Sequence, residues 1–393
     1  MLRKGILLIS MFVIGIASLS PEIGNTIPAF ARKYGFSCST CHEIVPKLKE
    51  YGDEFAANAF QLPDDEEPVR AFKDVGDDRL LLQRELPIAI RLDSYVRYRT
   101  EGDINSDIET PFGVKILSGG NIAKDIGYYF YFYMNERGEI TGLEDAYVHF
   151  NNLGGTEFDI MVGQFQISDP LFKRELRLTF EDYQIYKAEI GNSQTNLTYD
   201  RGIIMSYSLP TKTDLLLEIV NGSGIGDAGA DQMFDEDKYK NVFFKIAQGI
   251  PFGTVGFFGY LGKEKDTVTA SNWKNEFQMF GPDISLGVEK IELNAQFIRR
   301  TDKNPMFNAS PGDDTVTNGI IAEMVVNPIP EKSHLYGVLL YNNISSDYVS
   351  ADYETITANI SYLLRTNLRL MGEFTRDLEM DESRLTFGWT AGF

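Results

Sequence analysis

The chain ends on Arg384-Leu385-Thr386-Phe387-Gly388-Trp389-Thr390-Ala391-Gly392-Phe393. In an extended chain, successive side chains point to opposite faces. Leu385, Phe387, Trp389, Ala391 and Phe393 therefore share one face, and Arg384, Thr386, Gly388 and Thr390 share the other. The same period recurs upstream. Ile356, Ala358, Ile360 and Tyr362 alternate with Thr355, Thr357, Asn359 and Ser361. Ala146, Val148 and Phe150 alternate with Asp145, Tyr147 and His149. Ile88, Ile90, Leu92, Val96 and Tyr98 alternate with Ala89, Arg91, Asp93, Tyr95 and Arg97. One apolar and one polar face is the mark of a transmembrane β-barrel strand. A soluble barrel alternates in the same way with its apolar face turned inward, so the period alone leaves both open.

Connection lengths separate the two. Roughly 16 strands can be drawn, starting near residues 87, 111, 126, 143, 157, 194, 212, 239, 253, 273, 288, 317, 332, 351, 366 and 382. Counts of about 14 or 18 also fit the weaker boundaries. Longer connections, near 100–110, 166–193, 222–238, 301–316 and 344–350, alternate with shorter ones near 120–125, 152–156, 208–211, 249–252, 328–331 and 364–365. Outer-membrane barrels have long outer loops and short periplasmic turns. An even strand number puts both termini on one side, read as periplasmic. Phe393 fits the C-terminal signal of such barrels. The expected fold is all-β: an outer-membrane β-barrel of about 16 antiparallel strands over 86–393, behind a short α-helical segment. No repeat of about 20–50 residues supports a propeller or solenoid.

Composition narrows the class. Of 393 residues, 57 are acidic and 37 basic, a net charge of −20. That balance argues against a nucleic-acid-binding surface. The 2 cysteines exclude a disulfide framework and a multi-thiolate metal site. Residues 1–17 read as a cleaved export signal: Arg3 and Lys4, an apolar run from Gly5, then Gly15-Ile16-Ala17. No other stretch is apolar for long enough to make a membrane-spanning helix.

Both cysteines fall in Cys38-Ser39-Thr40-Cys41-His42, the c-type haem attachment pattern. The thiols of Cys38 and Cys41 add to the haem vinyl groups, and His42 is the proximal iron ligand. A structural zinc site would need further ligands near by, but the next histidine is His149. A thioredoxin-type pair would need a βαβ context that the flanks lack. Pro46 suits the first position of a helix carrying Leu48, Tyr51, Phe55 and Ala59 on one stripe. The haem segment is assigned to 18–63 and an acidic linker to 64–85. Glu43 to Pro87 contains no Met or His, so this part supplies no ordinary sixth ligand. Chains below about 40 residues rarely build an adequate core, so the segment must dock on the barrel.

The run Ala29-Phe30-Ala31-Arg32-Lys33-Tyr34-Gly35, then Cys38 to His42, Pro46, Leu48, Gly52 and Phe55, followed by the strands, resembles the fused monohaem cytochrome–porins of the outer membrane. That family is known chiefly from bacteria that oxidise Fe(II). Lys33 departs from the pattern, standing where Gln is expected, and the segment after the motif is unusually acidic. The resemblance implies one covalent haem c at Cys38, Cys41 and His42, held at the barrel lumen. It also implies an oxidoreductase that carries electrons from an extracellular donor, Fe(II), to a periplasmic cytochrome or other carrier, in contact with outer-membrane lipid. His149, on the face with Asp145 and Tyr147, is a candidate distal ligand. Met161 and Met371 share polar faces and are weaker candidates, and the faces of Met134 and His334 are not assigned. Arg91 and Arg97 could pair the haem propionates, or serve as ordinary lumen charge. The acidic residues Asp103, Asp107, Glu109 and those of 227–237 fall in outer loops, where they could gather cations or bind divalent ions for solubility and lipopolysaccharide contact. Gly224-Ile225-Gly226-Asp227-Ala228-Gly229 matches a dinucleotide fingerprint, but acidic residues rather than a helix follow it, so it reads as a loop. Two other readings stay open: a passive porin with a structural haem-segment plug, and electron export to an outside acceptor.

Overall fold

The computed structural model describes residues 29–62, 72–73, 75–77, 79–80, 82–84, 87–235, 237–266, 272–288, 290–329 and 334–393. The expected leader, 1–17, and most of the acidic linker lie outside the described residues. The N-terminal segment comprises helices α1 (Ala29–Tyr34), α2 (Cys38–Cys41) and α3 (Glu50–Ala57) and the hairpin β1 (His42–Ile44) and β2 (Lys47–Leu48). A second two-stranded pair, β3 (Phe72–Lys73) and β4 (Leu82–Gln83), follows.

The rest is one closed antiparallel barrel. Its strands are β5 (Ile88–Arg99), β6 (Ser106–Ala123), β7 (Ile126–Glu136), β8 (Gly142–Phe150), β9 (Phe158–Gln166), β10 (Tyr199–Leu209), β11 (Thr213–Val220) and β12 (Asn241–Ile250). They continue with β13 (Gly253–Lys265), β14 (Lys274–Val288), β15 (Ile291–Asp302), β16 (Thr315–Val326), β17 (Leu335–Ser346), β18 (Tyr353–Arg365), β19 (Leu368–Asp377) and β20 (Glu382–Gly392). Each strand pairs with the next in sequence, and β20 returns to β5 from Arg384↔Arg99 to Gly392↔Arg91. The terminal Phe393 exchanges backbone hydrogen bonds of 2.7 and 2.9 Å with Ile90. The expected sixteen-stranded barrel is therefore the one observed.

The two faces of the strands settle the choice that alternation left open. On β18, Thr355 and Thr357 are 0% exposed, whereas Ile356 is 49% and Ile360 63% exposed. Val162, Ile203, Leu215, Ile246, Phe257, Leu293, Ile320, Leu339, Phe374 and Phe387 are likewise exposed. Asp93, Asn121, Gln296, Arg300, Asn342 and Glu373 are buried. Apolar outside and polar inside is the arrangement for a hydrocarbon solvent, so this is a transmembrane barrel. Among the described residues no helix is long and apolar enough to cross a membrane.

One long connection differs from expectation. The loop after β9, residues 167–198, is not an outer loop but runs inside the lumen. Ile167, Leu171, Phe172, Leu178, Tyr183, Ile185, Tyr186, Ile190 and Leu197 are all buried, and several form the main core cluster with the inward side chains Ile204, Phe243, Phe258, Ile298 and Leu340. A loop this apolar removes more surface from water inside the barrel than outside it. The segment after the haem pattern also differs. Pro46 lies in the β1–β2 turn, with His42 paired to Leu48, and the helix starts at Glu50. Glu50 and Asp53 occupy the first turn of α3, where carboxylates suit the helix dipole.

Candidate functional site

The N-terminal segment sits across the end of the lumen that carries the short turns. At one side, Lys33 Nζ donates to Asn121 Oδ1 of β6 at 2.8 Å, and Arg32 bonds the Ile88 carbonyl of β5. Behind α3, Ala59 and Phe60 adopt left-handed backbone (φ 53° and 58°) and turn the chain back towards β7. Phe60 then stacks between Phe30 (5.1 Å) and Tyr129 of β7 (5.5 Å), and Tyr129 meets Tyr147 of β8 at 5.6 Å. Gly127 makes this approach possible, since a Cβ there would lie 2.4 Å from the Ala59 carbonyl oxygen. On the far wall, Tyr336 of β17 donates to the Glu43 carbonyl at 2.8 Å, and Lys47 pairs with Glu292 of β15 at 2.7 Å. Ile44 packs with Leu178, Val325, Val338 and Leu363. The segment thus bridges walls that are nearly opposite in a ring of sixteen strands.

The haem pattern occupies the middle of this bridge. Ser37 caps α2, its Oγ accepting from Ser39 N at 3.4 Å, and Cys38 and Cys41 are half-buried free thiols. Burial raises the pKa of both thiols. Gly52 lets α3 lie on α2, because a Cβ there would sit 2.3 Å from the Cys41 carbonyl oxygen. His42 Nδ1 contacts the Pro46 carbonyl at 3.0 Å. That bond makes Nδ1 the N–H donor and fixes the ring, leaving Nε2 with the free lone pair that an iron ligand needs. Burial lowers the His42 pKa, which favours the neutral ring. Two unpaired thiols three residues apart and an oriented neutral imidazole next in sequence fit the demands of haem c.

His149 faces the lumen on β8, beside Met161 of β9, as its alternation implies. It is buried, with Nε2 3.9 Å from Asp159 Oδ2. Its place relative to the haem pattern is set through α3. Gly52 lies on Cys41 while Ala59 lies on Gly127, the strand partner of His149. The helix between them spans about 10 Å. Met371 is buried on the inward face of β19, Met134 faces outward and His334 lies exposed at a short turn. Arg91 pairs with Asp93 (3.0 Å) and Arg97 with Glu109, so both are already matched to protein carboxylates.

The inner loop forms a second layer that the sequence reading missed. Phe180 N and Glu181 N donate to the Glu373 carboxylate at 2.7 and 2.8 Å, and Tyr183 OH donates to Glu323 at 2.9 Å. Glu175 accepts from Lys115 (3.1 Å), Tyr131 OH (3.2 Å) and Tyr133 OH (3.1 Å). Burial disfavours the Glu175 charge, but Lys115, Arg177, Arg91 and Arg174 outweigh it and hold its pKa down to about 2. Asp182 is held well below the carboxylate range in the same way, by Arg177, Arg174 and Lys187 against its burial. The two layers touch where Lys173 bonds Asp53 at 2.8 Å, beside a cavity of about 210 Å³ lined by Leu48, Asp53, Arg177 and Glu323. The signal available in the sequence was that 167–198 is richer in apolar residues than long connections such as 100–110 and 301–316.

No protein-family model matches the sequence, and no curated protein matches it. Solved structures do match in shape. The anion-selective porin from Comamonas acidovorans has 11% identity and a TM-score of 0.57, covering 79% of this chain and 99% of that one. The outer membrane channel DcaP of Acinetobacter baumannii has 14% identity and a TM-score of 0.55, covering 79% and 97%. OmpF of Salmonella typhi, solved with daunomycin, has 10% identity and a TM-score of 0.54, covering 78% and 97%. The fold is thus a porin-type barrel, with the N-terminal segment added to it.

Proposed function

We propose that this chain is an outer-membrane electron conduit between an extracellular donor, Fe(II), and a periplasmic carrier, and that its N-terminal segment would hold a covalent haem c at the short-turn mouth of a porin-type barrel. One observation carries the reading: the haem pattern lies on a segment docked across the lumen, with both thiols unpaired and His42 oriented by the Pro46 carbonyl. Cys38 and Cys41 would hold the haem through thioether links, and His42 Nε2 would bind its iron. The group supplies a one-electron redox centre when bound. The chain's own work is to fix that centre: Pro46 sets the imidazole tautomer, Gly52 closes α3 on α2, and Phe60, Tyr336 and Lys47 tie the segment to two walls. The short-turn end faces the periplasm in this reading.

The test is to express the chain with haem maturation, purify it from outer membranes and mix it with Fe(II) while recording the haem spectrum. Reduction of the haem is expected. Covalent haem that Fe(II) leaves oxidised at neutral and acid pH overturns the iron reading, and absence of covalent haem overturns the conduit. The porin fold favours a second reading, a passive pore with the segment as plug; planar-bilayer conductance that is low with the segment docked and rises when the segment is removed would support it.

A further inference from the structure

At the long-loop end, away from the haem segment, a cavity of about 300 Å³ opens between the returning limb of the inner loop and Gly222–Ile225 of the next connection. Glu189, Thr195, Asn196, Tyr199 and Asp200 line it. Among the described residues that line it there is no Lys or Arg. The next residue along β10, Arg201, is turned outward by strand alternation. Its guanidinium donates to the carbonyls of Gly224, Ile225 and Gly226 at 3.4, 3.0 and 3.0 Å and lies 4.0 Å over the Phe234 ring. The lining is therefore acidic; Arg201 is engaged on the outer face, and the Arg300 guanidinium, which meets the Thr195 carbonyl at 2.7 Å, is paired with Asp302. Asp200 is fixed by the N–H groups of Arg201 (2.7 Å) and Gly222 (2.6 Å), which leaves further lone pairs on its carboxylate. Thr195 is buried, and its Oγ1 has no hydrogen-bond partner. A buried hydroxyl without a partner costs free energy that a donor from a ligand would recover.

Among the described residues no group of three or more His, Cys, Asp or Glu converges closely enough to hold a bare metal ion. Size and chemistry point to another mode. Six waters at about 30 Å³ each occupy about 180 Å³, so an ion with its whole first hydration shell fits. Small divalent ions give up those waters reluctantly, and ion-bound waters are strong donors to carboxylate and hydroxyl oxygens. We propose that this cavity binds a hydrated divalent cation by outer-sphere contact, with Glu189 and Asp200 supplying charge and Thr195 Oγ1 accepting from a bound water.

The assignment rests on the lumen walls and not on the haem, so it can fail while the conduit stands. The full chain in detergent micelles is titrated with Mn²⁺, and free Mn²⁺ is followed by electron paramagnetic resonance. The titration runs in about 1 M KCl, where the Debye length is about 3 Å and diffuse attraction to acidic loops is screened. One saturable site per chain is expected. Glu189→Gln with Thr195→Val should weaken it at least tenfold, Thr195→Ser should keep it, and Asp231→Asn in the neighbouring loop should leave it unchanged. Glu189→Gln alone, at an exposed position with no fold to break, should weaken it several-fold. No saturable site at this salt, unchanged affinity in both Glu189→Gln variants, or loss in Asp231→Asn overturns the proposal.

Discussion

Two pieces of chain enter the lumen, and they are held differently. The inner loop, 167–198, is fastened by buried polar bonds to many strands. Glu373 takes two of its N–H groups, Asn342 bonds the Asp182 carbonyl at 2.9 Å, Arg369 the Leu178 carbonyl at 3.1 Å and Arg300 the Thr195 carbonyl at 2.7 Å. The N-terminal segment has one small aromatic cluster and a few contacts at the rim: Lys33, Lys47, Glu43 and Asn58, the last accepting from Asn151 at 2.6 Å. The loop belongs to the barrel's core, whereas the segment is a docked unit. The segment carries the unpaired thiols of Cys38 and Cys41 and the free imidazole Nε2. The contrast divides the molecule into a scaffold that closes the lumen and a carrier laid across its mouth.

The largest effect should come from the carrier alone. Replacing Cys38 and Cys41 together by Ser should abolish covalent haem, read as loss of haem stain on a denaturing gel. The barrel should still form, read by strand circular dichroism and by heat-dependent gel mobility. Barrel loss in this variant would break the division between the two pieces.

Acid should act on the loop first. Burial opposes the Glu175 carboxylate, but the surrounding cations hold its pKa at about 2 against a usual 4.5. A lowered carboxylate pKa stabilises the fold above the ordinary value, and that stabilisation is lost as pH falls through about 4.5 towards 2. The shift corresponds to about 3 kcal/mol. Loop order, read by proteolysis of the folded barrel, should therefore decline over this window. Glu175→Gln should have the looser loop at neutral pH and a weaker acid dependence, with the remainder coming from Asp182. A wild-type loop unaffected down to pH 2 would remove Glu175 as its electrostatic anchor.

Each piece also rests on a glycine, which allows a matched pair of wedges. A Cβ at Gly319 of β16 would lie 2.3 Å from Ile185 of the loop, and one at Gly127 of β7 would lie 2.4 Å from the Ala59 carbonyl oxygen. Overpacking of this kind costs about 1–3 kcal/mol. Gly319→Val should displace the loop and raise single-channel conductance. Gly127→Val should free the segment, seen as faster cleavage between the segment and barrel, with little change in unfolding of the barrel itself. Identical phenotypes would show that the two pieces dock as one.

Much of this was legible in sequence. A period of two, repeated over strands of 11 to 13 residues, carries its own signal; β7, β13 and β20 begin where the alternation puts them. β6 begins at Ser106, earlier than expected, because Pro111 sits in a bulge between the paired residues Glu109 and Gly113, where no ladder N–H is needed. Pro46 likewise marks a hairpin turn and not a helix start. Cys38, Cys41 and His42 were legible because the motif is local. Its docking was not, because Asn121, Glu292 and Tyr336 are single residues on three distant strands with nothing in their neighbourhoods to mark them. The inner loop has no period at all, and only its apolar content, against the polar character of true outer loops, distinguishes it. Gly127 and Gly319 left a weak trace, since glycine inside a strand often marks a close approach.

The smallest test concerns the segment's contact with the far wall. Lys47 and Glu292 meet at 2.7 Å, with side chains 18% and 31% exposed. Burial works against the Lys47 charge, but Glu292 outweighs it and raises the Lys47 pKa. Part-exposed pairs of this kind contribute about 0.2–1 kcal/mol. Lys47→Met keeps the stem that packs beside Leu48 and removes only the charge, so segment cleavage should quicken by no more than about fivefold, the factor that 1 kcal/mol gives in a pre-equilibrium opening. If Lys47→Met instead releases the segment as fully as Gly127→Val, the docking is electrostatic at the β15 wall, and the aromatic stack at Tyr129 is an accessory contact. A change within the expected range leaves the weight on Phe60, Tyr129 and the Gly127 notch, which places the pivot of the carrier on the β7 side and its free edge at β15–β17.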